Sequence, residues 1–391
     1  MRTAATAQGH AQRVESGFFP VPGGIVIAEQ DSSRRRHVVD WVARQFGWRV
    51  SRLEPASADA SFRRYYRLKP GQHGLPRQLS LKDGRVLARE GDTHGVIVMD
   101  APPPAEDLGR FVHAARRLAA AGLHVPAVHA SDLEAGLALV GDLGTITYLD
   151  MLAAGGPQQV PYEAAIDALV RLQLAPTSGW PDYDEALLRR ELGLFRDWYL
   201  DRHLQQRPSG EVAKALDTVF DRLVARSLGQ PRVLVHRDYH SRNLMASPPL
   251  PGILDFQDAV VGPLAYDVVS LLRDCYVELP APMMSRLLRH HRRQALAAGI
   301  TMPDEACFAA DLDWTGVQRH LKVLGIFVRL YYRDQRLEYL QYLPRVRRYL
   351  TAACARHASL RQLGALLESL APQDEARVRE IRAGLIRSDG A

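Results

Sequence analysis

Residues 233–257 read Val-Leu-Val-His-Arg-Asp-Tyr-His-Ser-Arg-Asn-Leu-Met-Ala-Ser-Pro-Pro-Leu-Pro-Gly-Ile-Leu-Asp-Phe-Gln. The apolar run Val233 to Val235 is a strand that delivers His236, Asp238 and Asn243 into a polar turn. A second short apolar piece follows, then a Ser-Pro-Pro turn, then Gly252-Ile253-Leu254 leading to Asp255. Such a hairpin carries Asn243 at one end and Asp255 at the other, so their side chains stand next to each other. A strand and hairpin of this kind, set in a chain otherwise patterned mostly as helix, restrict the fold to a mixture of α and β.

The chemistry explains the spacing. His-x-Asp-x-x-x-x-Asn, followed twelve residues later by Asp at a strand end, matches a kinase-type phosphoryl-transfer site. One carboxylate, Asp238, orients an acceptor hydroxyl and takes its proton. The amide oxygen of Asn243 and the carboxylate of Asp255 hold Mg²⁺ against the phosphates of ATP. Asp and Asn are common turn residues, so the short pattern alone would also suit a plain turn. The strand before it, the hairpin after it and the placement of Ile-Leu-Asp-Phe carry the phosphoryl-transfer reading. A zinc site built on His236 and His240 would need a helix presenting both rings, with Glu after the first His. Arg237 stands there instead, and the segment opens on a strand.

At 391 residues the chain exceeds the usual size of one hydrophobic core, so two lobes are expected. With 47% hydrophobic and 24% charged residues there is ample apolar surface for both. The net charge of +6 suits an anionic nucleotide but is too diffuse to argue for nucleic acid, and none is expected as a partner. The densest basic run, Arg286 to Arg293, alternates with Leu287 and Leu288, as on the solvated face of an amphipathic helix. Cys275, Cys307 and Cys354 are too scattered to imply disulfides or a metal site. No run of about 18 uncharged apolar residues predicts a membrane span. The N-terminus also lacks the apolar core of a signal peptide, so a cytoplasmic location is expected. Nothing identifies a protein partner.

Residues 1–36 are rich in small residues without clear period and read as a poorly ordered extension ending in Arg34-Arg35-Arg36. Val38 to Phe46 has the spacing of an amphipathic helix. Two strand-like pieces joined by a small polar loop (Ala56 to Ser61) follow. Next come a strand at Gly95 to Met99, a helix from Phe111, and a strand from Leu137 that breaks into a connector ending at Gly144. The remainder is helical apart from the hairpin. Strands with one helix, a connector and a helical remainder make a two-lobed α+β plan. A nucleotide-binding lobe over 37–141 and a catalytic and substrate lobe over 142–391 are expected, with the cleft at the connector.

Val-His-Arg-Asp-Tyr-His-Ser-Arg-Asn, Gly-Ile-Leu-Asp-Phe-Gln-Asp and Gly-Pro-Leu-Ala-Tyr-Asp267, in that order, resemble the aminoglycoside phosphotransferase and choline kinase superfamily. More narrowly, the chain looks like the bacterial anomeric N-acetylmuramate and N-acetylglucosamine kinases of cell-wall recycling. That likeness rests on Ser-Ala-Asp-Ala-Ser-Phe-Arg-Arg-Tyr-Tyr-Arg (57–67), Val-Met-Asp-Ala-Pro-Pro (98–103), Tyr-Asp-Glu-Ala-Leu-Leu-Arg-Arg-Glu-Leu (183–192), Asp-Trp-Tyr-Leu (197–200) and Gly-Val-Gln-Arg-His-Leu-Lys-Val (316–323). It spans roughly residues 40–350 and implies a protein-kinase-like fold. It also implies transfer of the γ-phosphoryl of ATP to the C1 hydroxyl of a free amino sugar, giving the α-1-phosphate.

The resemblance distributes roles. Ser57 to Phe62 replaces the glycine-rich loop over the phosphates, with Ser57 and Ser61 as hydroxyl donors. The strand lysine that usually holds the phosphates falls on Met99, whose thioether brings no charge. Either Arg63 and Arg64 substitute for it, or metal ions hold the triphosphate alone. Asp142 and Leu143 of the connector face the nucleotide. His236 orients the loop, and Asp267 holds it from behind. For the sugar, Glu191, Trp198, Arg237 and Arg242 are the candidates, the arginines meeting a lactyl carboxylate or the triphosphate. A different hydroxyl acceptor (aminoglycoside, choline or homoserine) and a nucleotide-binding scaffold without catalysis remain open alternatives.

Overall fold

A computed structural model describes residues 24–48, 50, 53–58, 63–156 and 158–384. The small lobe opens with helix α1 (Gly24–Phe46), followed by a hairpin of β1 (Glu54–Ala58) and β2 (Arg64–Leu68). A separate small hairpin, β3 (Gln78–Ser80) and β4 (Val86–Arg89), precedes the central strand β5 (Val96–Asp100). Helix α2 (Leu108–Ala120) then leads to β6 (Val128–Asp132) and β7 (Leu137–Gly141). The sheet runs β1-β2-β5-β7-β6 with every pairing antiparallel.

β5 is buried at all five positions because both faces of the sheet are covered. Alternate side chains go opposite ways. Val96 and Val98 pack on Val38, Trp41 and Val42 of α1. Ile97 and Met99 belong instead to the apolar cluster of Leu108, Phe111 and Ala115 of α2, which runs on into the large lobe. The start of α2 is fixed by Asp107, whose side chain accepts the Gly109 N–H at 2.9 Å. Its apolar face, Leu108, Phe111, Val112, Ala115 and Leu118, follows the helical period.

One expectation is corrected at the start of the chain. The helix anticipated from Val38 begins at Gly24, so the boundary anticipated after residue 36 falls inside α1. Arg34 ties this part down: its guanidinium donates to the buried Asp100 carboxylate at 2.9 and 2.6 Å and to the Ala135 carbonyl at 2.7 Å. What reads locally as the end of an arginine-rich tail is a tertiary ion pair.

β7 passes through residues 142–144 into the large lobe. Helices α3 (Tyr148–Ala153), α4 (Gln159–Leu174) and α5 (Glu185–Leu194), a π-helical stretch Phe195–His203 and α6 (Gly210–Leu228) come first. Two short antiparallel ladders follow: β8 (Arg232–Val235) with β11 (Val260–Pro263), and β9 (Leu244–Met245) with β10 (Gly252–Ile253). The chain then forms α7 (Ala265–Leu272), α8 (Ala281–Ala297), α9 (Glu305–Asp334), a 3₁₀ turn Leu337–Tyr342, α10 (Leu343–Arg356) and α11 (Arg361–Arg382). In α8 the buried Leu287, His291 and Ala295 recur every fourth residue, so the basic run lies on an amphipathic helix as anticipated.

α9 is the spine of this lobe. Its thirty residues span about 45 Å at the usual helical rise. Asp304 caps it by accepting the Cys307 N–H at 2.7 Å. α5 crosses it at Gly325, where an added Cβ would lie 2.3 Å from the Leu194 carbonyl oxygen. Only glycine lets the two backbones approach this closely. The whole is the two-lobed α+β plan read from the sequence. Among the described residues no helix is long and apolar enough to cross a membrane.

Candidate active site

β8 ends at Val235, and the next residues turn sharply out of the ladder. Arg237 adopts φ 78° and Asp255 φ 61°, a left-handed backbone that costs energy for a residue with a side chain. Tertiary hydrogen bonds hold the first of these turns. Asp267, in the first turn of α7, receives the N–H of His236 at 2.6 Å and of Arg237 at 3.1 Å. Burial pushes its carboxyl up to about 6, against the pull of His236 and those two N–H groups.

His236 fixes the other side of the loop. Its Nε2 lies 2.9 Å from the Leu254 carbonyl oxygen, which can only accept, so Nε2 carries the proton. Nδ1 is then bare and accepts the Asp238 N–H at 3.3 Å. Burial keeps the imidazole pKa below its ordinary value, so the ring is neutral at pH 7. His236 thus ties the backbone of Asp238 to the strand end that carries Asp255, and it has no nitrogen left to act as a base.

Burial works against ionisation of Asp238, yet Lys322, His240, Arg319 and Arg237 together hold its carboxyl well below the usual range. Burial also holds His240 at about 4, so at neutral pH the three permanent cations do this. Asp238 therefore stays a carboxylate and can accept a hydroxyl hydrogen at any physiological pH.

The β9–β10 pairing joins Leu244 to Ile253, and the Leu254 N–H donates to the Asn243 carbonyl at 2.9 Å. Asn243 is therefore directly opposite Leu254, one residue from Asp255. The Asn243 amide nitrogen donates to the Asp238 carbonyl at 3.0 Å, which fixes the orientation of the amide. Asp255 is exposed, and one of its oxygens accepts from Gln257 at 2.7 Å. An amide oxygen and a carboxylate one ladder position apart are hard donors of the kind that suit Mg²⁺. No cluster of three or more His, Cys, Asp or Glu side chains suited to a metal occurs among the described residues.

Beside the turn at Arg237 lies a cavity of about 510 Å³ between α5 and α9. Its inner wall is built on Glu191, 3% exposed. This carboxylate accepts Lys322 Nζ at 3.0 Å, Gln318 Nε2 at 3.2 Å, the Tyr183 hydroxyl and the Arg237 guanidinium. Burial would raise its pKa, but Lys322 and Arg237 keep it below the ordinary value. The cluster thus links α5 and α9 to the residue immediately before Asp238.

In the small lobe, strand register separates two arginines that are neighbours in sequence. Tyr65 pairs with Met99 and Arg64 with Asp100. Arg63 lies two residues before Tyr65, on the face of the fully buried Met99, and donates to Glu106 at 2.8 Å. Arg64 shares the opposite face with Tyr66, which packs toward α1, so it is not in the cleft. The Asp142 carboxylate is consumed internally: it accepts Arg67 at 2.7 and 3.0 Å and the Gly95 and Gly144 N–H groups at 3.3 and 2.9 Å. It fixes the connector and has no room for a ligand. Leu143 packs against Gly252, where a Cβ would meet it at 3.0 Å. Ser61 lies outside the described residues, and so does the side chain of Ser57, whose backbone is in β1. Across the cleft, Phe111 of α2 stacks on Phe256 at 5.2 Å and couples the small lobe to the Asp255 segment.

Of the four sugar candidates, Glu191 and Arg237 line the cavity and two do not. The π-helical turn from Phe195 changes the side-chain register, and Trp198 packs on the large-lobe core. Arg242 lies between the rings of Tyr276 and Tyr339, at 5.0 and 5.2 Å, and donates to the Tyr339 hydroxyl at 2.9 Å. Sequence reasoning assigned no role to Arg319 and Lys322. A signal existed: Gln318, Arg319, His320 and Lys322 are polar residues on several faces of one buried helix, and buried charges require partners.

The family model of the phosphotransferase enzyme family matches residues 52–300. The N-acetylmuramate/N-acetylglucosamine kinase of Pseudomonas aeruginosa is 47% identical over 326 residues, covering 83% of this chain and 90% of that protein. The protein of the same name from Neisseria meningitidis serogroup B is 36% identical over 351 residues, covering 88% and 97%. Among solved structures, an ADP-bound aminoglycoside phosphotransferase superposes with a TM-score of 0.51 at 13% identity, covering 81% of this chain and 96% of that one. An AMP-bound spectinomycin phosphotransferase gives 0.51 at 11%, covering 79% and 93%. At such identities the structural likeness speaks for the fold, which is protein-kinase-like.

Proposed function

The chain belongs to the phosphotransferase enzyme family, and on that premise we propose that it is an amino-sugar kinase. It transfers the γ-phosphoryl of ATP to the anomeric C1 hydroxyl of free N-acetylmuramate and N-acetylglucosamine, yielding the α-1-phosphates. The relatives' names support the sugar, and ATP as donor goes with a cytoplasmic place in the re-use of peptidoglycan sugars. The small lobe, residues 37–141 with the preceding part of α1, binds nucleotide, and residues from 142 onward carry the acceptor.

The observation that carries this reading is the arrangement about Asp238. An ionised carboxylate stands one residue from Arg237 on the cavity wall, while Asn243 and Asp255 stand one ladder position apart at the end of the hairpin. Asp238 accepts the hydrogen bond of the C1 hydroxyl and takes its proton as the bond to phosphorus forms. A strongly stabilised carboxylate is a weak base, so its main work is orientation, with proton transfer late in a loose transition state. Asn243 and Asp255 would hold Mg²⁺, which when bound would neutralise charge on the triphosphate. Arg63 supplies the cation that Met99 lacks, with Glu106 fixing its position as the helix glutamate does for the usual lysine. Asp267 and His236 are positioning residues.

The cavity argues against a polycationic acceptor. Arg110, Arg190, Arg237, Lys322 and Arg329 line it against Asp182, Asp184, Glu191 and Asp258, whereas an aminoglycoside calls for an excess of carboxylates. The test is ATP consumption with each free sugar, and ³¹P NMR to identify the phosphorylated carbon. Turnover of neither sugar, or phosphate on a carbon other than C1, removes the proposal.

A further inference from the structure

The charges around the acceptor cavity do not cancel. Each carboxylate on its wall already has a partner. Asp182 is held by Arg232 at 2.5 Å, and Asp258 faces Arg110 at 3.6 Å. Asp184 accepts the Leu187 N–H at 2.8 Å as the cap of α5. Glu191 serves two cations at once, Lys322 and Arg237. Two lining guanidiniums are left over. Neither Arg190 of α5 nor Arg329 of α9 has a hydrogen-bonded or ion-paired carboxylate among the described residues.

Arg329 is the more telling of the two. It is half-buried, and its Nε is shut off from solvent without any hydrogen-bond partner. Burial and the charge of Arg333 lower its pKa, and the nearby Asp334 is already bound by Arg333 at 2.9 Å. A planar guanidinium with unmet donors on the wall of a cavity is matched by a carboxylate, which it grips through two parallel hydrogen bonds. Its position fits as well. Lys322, Ile326 and Arg329 share one face of α9, so Arg329 stands about 10 Å further along the helix than Lys322, two turns from the charged cluster at Asp238. A hexose ring with its reacting hydroxyl at Asp238 would carry a ring substituent toward Arg329.

We infer that Arg329, assisted by Arg190 on the facing helix, is the subsite for a carboxylate borne by the acceptor, and that it sets the preference for an acidic amino sugar over its neutral counterpart. The inference rests on the amino-sugar kinase reading above. It also reassigns the carboxylate contact from Arg237 and Arg242, whose guanidiniums are committed to Glu191 and to two tyrosine rings. N-acetylmuramate carries a lactyl carboxylate and N-acetylglucosamine does not, so the two sugars form an internal control.

The experiment compares the wild-type enzyme with Arg329→Met, which keeps the length of the side-chain stem, and Arg329→Lys, which keeps the charge. A charged hydrogen-bonded contact of this kind corresponds to roughly 10- to 100-fold in kcat/KM. Arg329→Met is expected to lose that factor with N-acetylmuramate, mostly in KM, and less than about threefold with N-acetylglucosamine, whose turnover also reports a folded enzyme. Arg329→Lys should recover part of the loss. Equal losses on both sugars, or no loss on either, overturn the assignment while leaving the kinase reading intact. A wild-type enzyme that phosphorylates neither sugar overturns both.

Discussion

Glu191→Gln tests the electrostatic core of the site while leaving its shape nearly unchanged. The Glu191–Lys322 contact of 3.0 Å corresponds to about 5 kcal/mol of gross attraction at an effective dielectric constant of about 20. Much of that is offset by taking both charges out of water, and breaking such a buried pair typically costs roughly 3–5 kcal/mol. Glutamine still accepts one hydrogen bond from Tyr183, Gln318 or Arg237, so a loss of roughly 2–4 kcal/mol at pH 7 is expected. The sign of the pH dependence follows from the shifts. Glu191 has a lowered pKa in the folded chain, so its contribution is complete above its unfolded value and disappears as pH falls through the folded one. Lys322 has a raised pKa, so its share is complete below its own unfolded value and is lost only as pH climbs through the folded one. The difference between wild type and variant should therefore be flat from about pH 5 to about pH 9 and shrink in acid, where the wild-type glutamate is protonated too. Urea denaturation at a series of pH values reads it directly. A difference below about 0.5 kcal/mol at pH 7, the scale of an exposed ion pair, would refute the reasoning, as would a difference that grows in acid. In the double-mutant cycle, Lys322→Met combined with Glu191→Gln should add clearly less cost than Lys322→Met does in wild type, because the charge it removes no longer has its partner.

Three further outcomes follow from the site. Asp238→Asn should lower kcat by at least roughly 10²-fold with nearly unchanged nucleotide affinity, whereas Asp255→Asn should weaken Mg·ATP binding itself; equal loss of affinity in both would end this division of labour. Arg63→Met should raise the KM for ATP roughly tenfold, and Arg64→Met should stay within about twofold, because strand alternation turns Arg64 toward α1; steady-state kinetics at varied ATP separate the two. Gly325→Ala should cost roughly 1–3 kcal/mol, since its Cβ would meet the Leu194 carbonyl at 2.3 Å and push α5 off α9. A thermal melt equal to wild type would mean that the crossing adjusts freely.

The hairpin segment of the candidate site was legible because its geometry is local. A strand, a polar turn and a two-residue ladder fix where Asp238, Asn243 and Asp255 stand relative to one another, and all three lie within 25 residues of Val233. The lobes and the order of helices could also be read, since periodicity depends on neighbours in sequence. The polar framework could not. Gln318 reaches Glu191 across 127 residues, and nothing at either position names the other. The same holds for Arg34 with Asp100, 66 residues apart, which made a helix look like a tail. Asp142, Arg242 and Trp198 have side chains that suit a ligand, yet packing gives Arg67, two tyrosines and the core the first claim on them. Residue type and spacing say what a side chain is able to do. Which of its possible partners it meets depends on long-range contacts between helices, and these exist only once the chain has closed.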